Sequence, residues 1–303
     1  MPDRAPIWDP EVLTRLEHLH LKAREATLGF RQGSHRSLRI ATNVEFADYK
    51  EYTPGDNLRD LDWKVYARSE RLVVRRQQAE TELRAFIVLD ASGDLGTGRA
   101  GRVQRPPLEG SKFGFGVTVA ATLAYFLERR GDPVGLTVWG GEGIPFRLIP
   151  PRVGIPHLSQ MFATLAAVAP AGKANIGEGL VELGRRIGRR TLVIVVSDFM
   201  EEPESWGPSL SALARQRADV RAVHLYDRKE LGLDYPDAVR FFSPEGGPDV
   251  PIDPPALRTA FREVVDEYLR EVRTHMGRHR GHHVLVSTDE ALEGVIGRVV
   301  GAA

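Results

Sequence analysis

The sequence predicts an α/β fold: a doubly wound, mostly parallel sheet with a small β-rich element appended to it. Two observations carry that expectation. From Phe86 onward, short apolar runs alternate with amphipathic stretches of helical period, which is the pattern of strand, crossover helix and parallel strand. The run at residues 86–89 is continuously apolar and that at 191–196 is the most apolar of all, as expected of strands covered on both faces. Two other segments, residues 30–84 and 228–256, break the rhythm with turn chemistry such as Thr53-Pro54-Gly55-Asp56, and these are expected to form the appended element.

The elements follow in order. Asp9-Pro10 reads as an N-cap with proline at the first helical position, and Leu13, Leu16, Leu19, Ala23 and Ala26 repeat at helical spacing as far as Gly29. Residues 1–29 are therefore an N-terminal helix. After the first sheet strand, Ser111 caps a helix whose inner face is Phe113, Val117, Ala120, Ala121, Ala124 and Leu127. Strands follow at 134–139 and 146–149, helices near 156–168 and 176–188, the strand 191–196, a helix near 206–216 and the strand 220–225. The amphipathic run through Leu257, Phe261, Val264, Val265, Tyr268, Leu269 and Val272 is a strong helix, followed by a strand at 283–287 and a last helix capped by Asp289. The main domain is thus residues 85–227 together with 257–303.

Composition narrows the function class. The 303 residues carry 41 acidic and 41 basic side chains, so there is no global pull toward nucleic acid or an anionic surface. With no cysteine, disulfides, cysteine zinc sites and thiol catalysis are excluded. No apolar run approaches the roughly 20 residues needed to span a bilayer, and the polar start Met1-Pro2-Asp3-Arg4 is unlike a signal peptide. A cytoplasmic protein without direct membrane insertion is expected.

In open α/β sheets ligands gather beyond the carboxyl ends of the strands. Two such ends carry acids here: Asp90-Ala91-Ser92-Gly93-Asp94 after the first sheet strand, and Ser197-Asp198 after the strand at 191–196. Oxygen ligands from loops at one edge suit a hard cation such as Mg²⁺, although acids at strand ends also cap helices and bind loop amides.

Asp90-Ala91-Ser92 resembles the start of the Asp-x-Ser-x-Ser motif of the metal-ion-dependent adhesion site in von Willebrand A domains. A longer signature is similar to that of a bacterial family, domain-of-unknown-function family 58. It comprises Glu45-Phe46-Ala47-Asp48, the run from Tyr52 to Arg59, Asp62-Trp63, Ala67-Arg68, Ser197-Asp198-Phe199 and the region of Tyr226-Asp227. The resemblance covers the chain from about Ser34 onward. It implies a von Willebrand A-like fold without an established catalytic activity, and work alongside a MoxR-type AAA+ ATPase in assembling or maturing other proteins.

Carried over residue by residue, the adhesion-site ligands match at Asp90, Ser92 and Asp198. The second serine is Asp94, and the later threonine is missing from Ala174-Asn175-Ile176. A third carboxylate would neutralise a bound Mg²⁺ and weaken its pull on an acidic partner. The expected site is therefore degenerate, either metal-free or holding a cation ill suited to recruiting a carboxylate.

Other features have a functional and a plainer reading. Arg99, Arg102 and Arg105 lie in a glycine-rich loop beside the acids, as a cationic lid for a partner or as solvated loop residues. Lys173 is either a stand-in for the lost metal or another solvated loop residue. Arg59, Asp62, Trp63 and Arg68 are a partner surface or an internal ion-pair and tryptophan arrangement. His275 and His279 have the i, i+4 spacing of a zinc helix with His282 and His283 nearby, but a helix C-terminus also suits such residues. The overall expectation is a non-catalytic protein-binding module; the alternative is a Mg²⁺-dependent phosphohydrolase with Asp90 as nucleophile. Ser92 stands where such an enzyme carries its second aspartate.

Overall fold

The computed structural model describes residues 18, 21–27, 49–53, 61, 63–69, 71–75, 84–96, 110–140, 146–235, 238–241 and 250–301. The chain divides into two compact units, one of residues 1–38 and 84–302, the other of residues 39–83. Residues 228–256, which the sequence pattern groups with 30–84, lie in the first unit.

The first unit is built on a six-stranded sheet in the order β10-β7-β6-β3-β4-β5. Its strands are β3 (Ala85–Ala91), β4 (Val134–Gly140), β5 (Phe146–Arg152), β6 (Leu192–Ser197), β7 (Asp219–Tyr226) and β10 (His282–Ser287). All neighbours pair in parallel except β4 and β5. The antiparallel edge follows from the short connection between β4 and β5, which leaves no room for a crossover helix. Numbered along the chain, the sheet strands take the order 3-2-1-4-5-6, so the winding reverses between β3 and β6. This is the doubly wound, mostly parallel α/β fold that the sequence predicts.

Helices cover both faces. Alternation along β3 sends Phe86 and Val88 into a core with Trp139, Ile176, Leu180, Val193, Val195, Trp206 and Leu210. That core is closed by α5 (Ile176–Gly184), α6 (Pro203–Arg215) and α8 (Pro254–Arg278). On the opposite face lie α3 (Lys112–Arg129), α4 (Ile155–Ala167) and α9 (Leu292–Gly301), each with a buried apolar stripe. Gly116 lets α3 approach closely: a Cβ there would lie 2.9 Å from Leu225 Cδ1 and 3.4 Å from Val196 Cγ1. Residues 18 and 21–27 are the described residues of helix α1, with Ala23, Ala26 and Thr27 buried; the proposed start at Asp9-Pro10 lies outside the described residues. A short helix α7 (Arg228–Gly232) and the hairpin strands β8 (Val239–Phe241) and β9 (Val250–Ile252) complete this unit. Among the described residues no helix is long and apolar enough to cross a membrane.

In the second unit, β1 (Tyr49–Glu51) pairs antiparallel with β2 (Val73–Arg75), Tyr52 N donates to Leu72 O at 2.9 Å, and Glu51 pairs with Arg71. Between them lies helix α2 (Trp63–Ser69), where strands and turns are expected from the segment's general character. The run from Asp62 to Ser69 contains neither glycine nor proline, and its lysine, alanine and arginine are good helix formers.

Candidate functional site at the carboxyl edge of the sheet

Asp90 leaves the end of β3 and Asp198 follows the end of β6, so the two acids face the crevice where the winding reverses. That is where an open α/β sheet presents its ligand site. Both are buried, at 3% and 4% exposure. Ser92 N donates to Asp90 Oδ1 at 2.8 Å, turning the chain into the 3-10 turn Gly93–Gly96. Ser197 Oγ donates to Asp90 Oδ2 at 2.6 Å and accepts from Phe199 N at 3.0 Å. The second bond closes a turn in which Phe199 adopts a left-handed φ of 48°. One hydroxyl thereby ties the ends of β3 and β6 together.

Asp198 has a different partner. Lys112, the first residue of α3, is 7% exposed, and its Nζ lies 2.9 Å from Asp198 Oδ2 and 3.1 Å from Glu230 Oε2 of α7. Ser111 caps α3 by accepting from Gly114 N at 3.0 Å, so the helix start that directs Lys112 inward is fixed locally. Burial works against the ammonium, but Asp198 and Glu230 together outweigh it and hold the lysine pKa above its usual value. Asp90 is pushed toward its neutral form: burial first, then the nearby Asp198 charge, raise its pKa to about 7 against the pull of its hydrogen bonds.

Behind these acids lies a layer of neutral imidazole and phenol. His224 Nδ1 and His283 Nε2 are 3.0 Å apart, and the His224 ring packs against Phe199 and Tyr268. Burial, followed by each one's cationic or imidazole neighbours, lowers their pKa values to about 3 and about 4. Tyr268 Oη donates to Glu201 O at 3.1 Å, and Glu201 Oε1 accepts from Ile176 N at 2.6 Å at the start of α5.

The residues proposed from sequence separate into those at this edge and those elsewhere. Asp90, Ser92 and Asp198 are brought together here. Asp94 sits half-buried in the 3-10 turn. Among the described residues no three histidine, aspartate or glutamate side chains converge to hold a metal. Lys173 is exposed; the lysine beside the acids is Lys112. His275 and His279 engage different groups, Glu204 at 3.4 Å and Ser211 at 3.4 Å. Trp63 is 62% exposed on α2 and edge-on to Tyr66, and Arg68 is exposed in the last turn. Arg59, Asp62, Arg99, Arg102 and Arg105 lie outside the described residues. Sequence reasoning overlooked Lys112 and Glu230. A lysine at the first position of a helix, where the dipole disfavours a cation, was the available signal.

An ion bound by Asp198 Oδ2 would sit about 2.1 Å from it, against an ammonium already 2.9 Å from the same oxygen. Both oxygens of Asp90 are accepting hydrogen bonds. The loop that carries the threonine ligand in adhesion sites is held here by backbone bonds: Ala171 N donates to Ala91 O at 3.0 Å and Gly93 N to Gly172 O at 2.8 Å. As arranged, these residues do not fit Mg²⁺.

The chain is similar to several known proteins. Residues 48–272 match the family described as "Protein of unknown function DUF58". The uncharacterized protein Rv1480 of Mycobacterium tuberculosis is 29% identical over 274 residues, covering 89% of this chain and 82% of its own. Among solved structures, the conserved hypothetical protein BatB from Bacteroides thetaiotaomicron aligns over 73% of this chain and 98% of that one, at 15% identity and a TM-score of 0.46. The SpRpn10 VWA domain aligns over 73% and 97%, at 10% identity and a TM-score of 0.41. The family match runs from the start of β1 into α8 and includes both acids of the edge: the chain belongs to the DUF58 family.

Proposed function

We propose that this protein is a non-catalytic interaction module that works in the cytoplasm with a MoxR-type AAA+ ATPase in the assembly or maturation of other proteins. The observation that carries the reading is the internally satisfied carboxyl edge. A nucleophilic aspartate must present an ionised oxygen to its substrate. Asp90 is buried, accepts hydrogen bonds on both oxygens and is held toward its neutral form. Position 92, where a phosphohydrolase carries its proton donor, is a serine hydrogen-bonded to Asp90. Such an edge supports binding, which needs a fixed shape and charge rather than a free nucleophile. Met200, 69% exposed, lies two residues beyond Asp198 and offers an apolar contact next to it.

The partner class rests on the family resemblance, and its test is direct. The full chain, tagged and expressed with the MoxR-type ATPase of its own source, should retain that ATPase through purification. Loss of the complex on Met200→Asp would place the contact at this edge, whereas no association in any nucleotide state would overturn the reading. The catalytic alternative is tested with an aryl phosphate and Mg²⁺: no turnover is expected, and turnover that disappears in Asp90→Asn would replace the binding module with an enzyme.

A further inference from the structure

We infer that the Lys112 ammonium is the resident cation of this edge, taking by a salt link the place beside Asp198 that a divalent ion would need, with Glu230 of α7 as its second acid. The inference goes beyond the partner reading and stands whether or not that reading holds.

A lysine at the first position of an 18-residue helix faces an unfavourable dipole, and burying its ammonium is strongly unfavourable without compensation. Such a residue persists where acids repay it. They come from two separate elements, Asp198 at the end of β6 and Glu230 on α7, at 2.9 and 3.1 Å. The Lys112 side chain is 8% exposed and that of Asp198 5%, whereas Glu230 at 33% is the open side of the network. The cation is thus covalently tethered and sealed from beneath, with one of its acids facing solvent.

The surroundings fit a tethered cation better than a free one. An ammonium needs only acceptors in a roughly tetrahedral arrangement, whereas Mg²⁺ needs an octahedron of oxygens at short distance. The hydroxyl-bearing loop has been replaced by Ala174, which packs within 3.1 Å of the position a Cβ would take on Gly140. The Ser197 hydroxyl is spent on Asp90. The groups that bond the Asp198 carboxylate or share its cation are the Lys112 ammonium and, through it, Glu230.

The consequence is that the edge is independent of divalent ions and that removing Lys112 exposes two facing carboxylates, enough to hold a largely hydrated ion. Mn²⁺ is the probe, titrated into the full chain and followed by the EPR signal of free Mn²⁺, with calorimetry in parallel. Wild type is expected to show no saturable site at millimolar Mn²⁺. Glu230→Gln, which keeps the Lys112–Asp198 pair, should behave the same. Lys112→Ala should bind one Mn²⁺ per chain, about tenfold or more tighter than any wild-type binding, and its thermal midpoint should rise with added Mn²⁺. If Lys112→Ala folds only in the presence of Mn²⁺, that too supports a cation requirement at this position. One Mn²⁺ bound by wild type and lost in Asp198→Asn would overturn the inference, because ion and lysine would then coexist. A folded Lys112→Ala that binds no Mn²⁺ would overturn it equally.

Discussion

Asp198 and Lys112 set the stakes at the scale of single residues. Their pair is buried, so breaking it differs from removing it. Asp198→Ala leaves the ammonium with only the half-exposed Glu230, and should cost about 3–5 kcal/mol in urea unfolding. Combining Asp198→Leu with Lys112→Met removes both charges and should recover most of that loss; a double variant no more stable than the single one would show that the charges themselves stabilise the fold. Ser197 is the other hinge of the site. Ser197→Ala strands Asp90 Oδ2 and Phe199 N together, with an expected loss of about 1–3 kcal/mol.

Among the elements, close packing rather than propensity decides. A Cβ on Gly179 would stand 2.5 Å from Trp139 Cε3, and Trp139 is 2% exposed with no space to retreat. Alanine normally gains about 1 kcal/mol over glycine inside a helix. Gly179→Ala should instead destabilise by about 1–3 kcal/mol, because α5 must lift from β4. The two long helices should also differ. Twelve of the 18 residues of α3 are buried, against Pro254, Val272 and Met276 among the 25 of α8. Amide exchange should therefore be markedly faster in the first half of α8 than in α3; equal protection would mean that α8 is covered by something else in solution.

For the whole molecule, acid stability is the sum of opposing titrations. His224 and His283 titrate near 3 and 4 in the fold against 6.5 when unfolded. Unfolding therefore takes up protons, and stability is lost as pH falls below 6.5. Asp90, raised from 3.8 to about 7, acts in reverse: its contribution is full below 3.8 and is lost as pH rises toward 7. Between about pH 4 and 6.5 the histidines outweigh it, and Asp90→Asn should lose stability on acidification about twice as steeply as wild type. Urea midpoints across this range provide the check, and parallel slopes for the two proteins would show that Asp90 titrates normally.

The alternating pattern from Phe86 onward determined the α/β fold, because strand and helix periods are written in adjacent residues. It also placed Asp90 and Asp198 at strand ends, and strand ends of a parallel sheet share one edge. The helix α2 was harder to read, since Trp63–Ser69 is short and its apolar residues do not form a long repeat. What only the tertiary structure decided was the neighbour of each acid. Lys112 and Asp198 are 86 residues apart, and Glu230 joins them from a third element. No local period encodes such a meeting: it depends on how α3 and α7 seat against the sheet, which is settled by packing. The sequence alone predicted acids and a degenerate cation site at this edge; the packing of α3 supplied the cation.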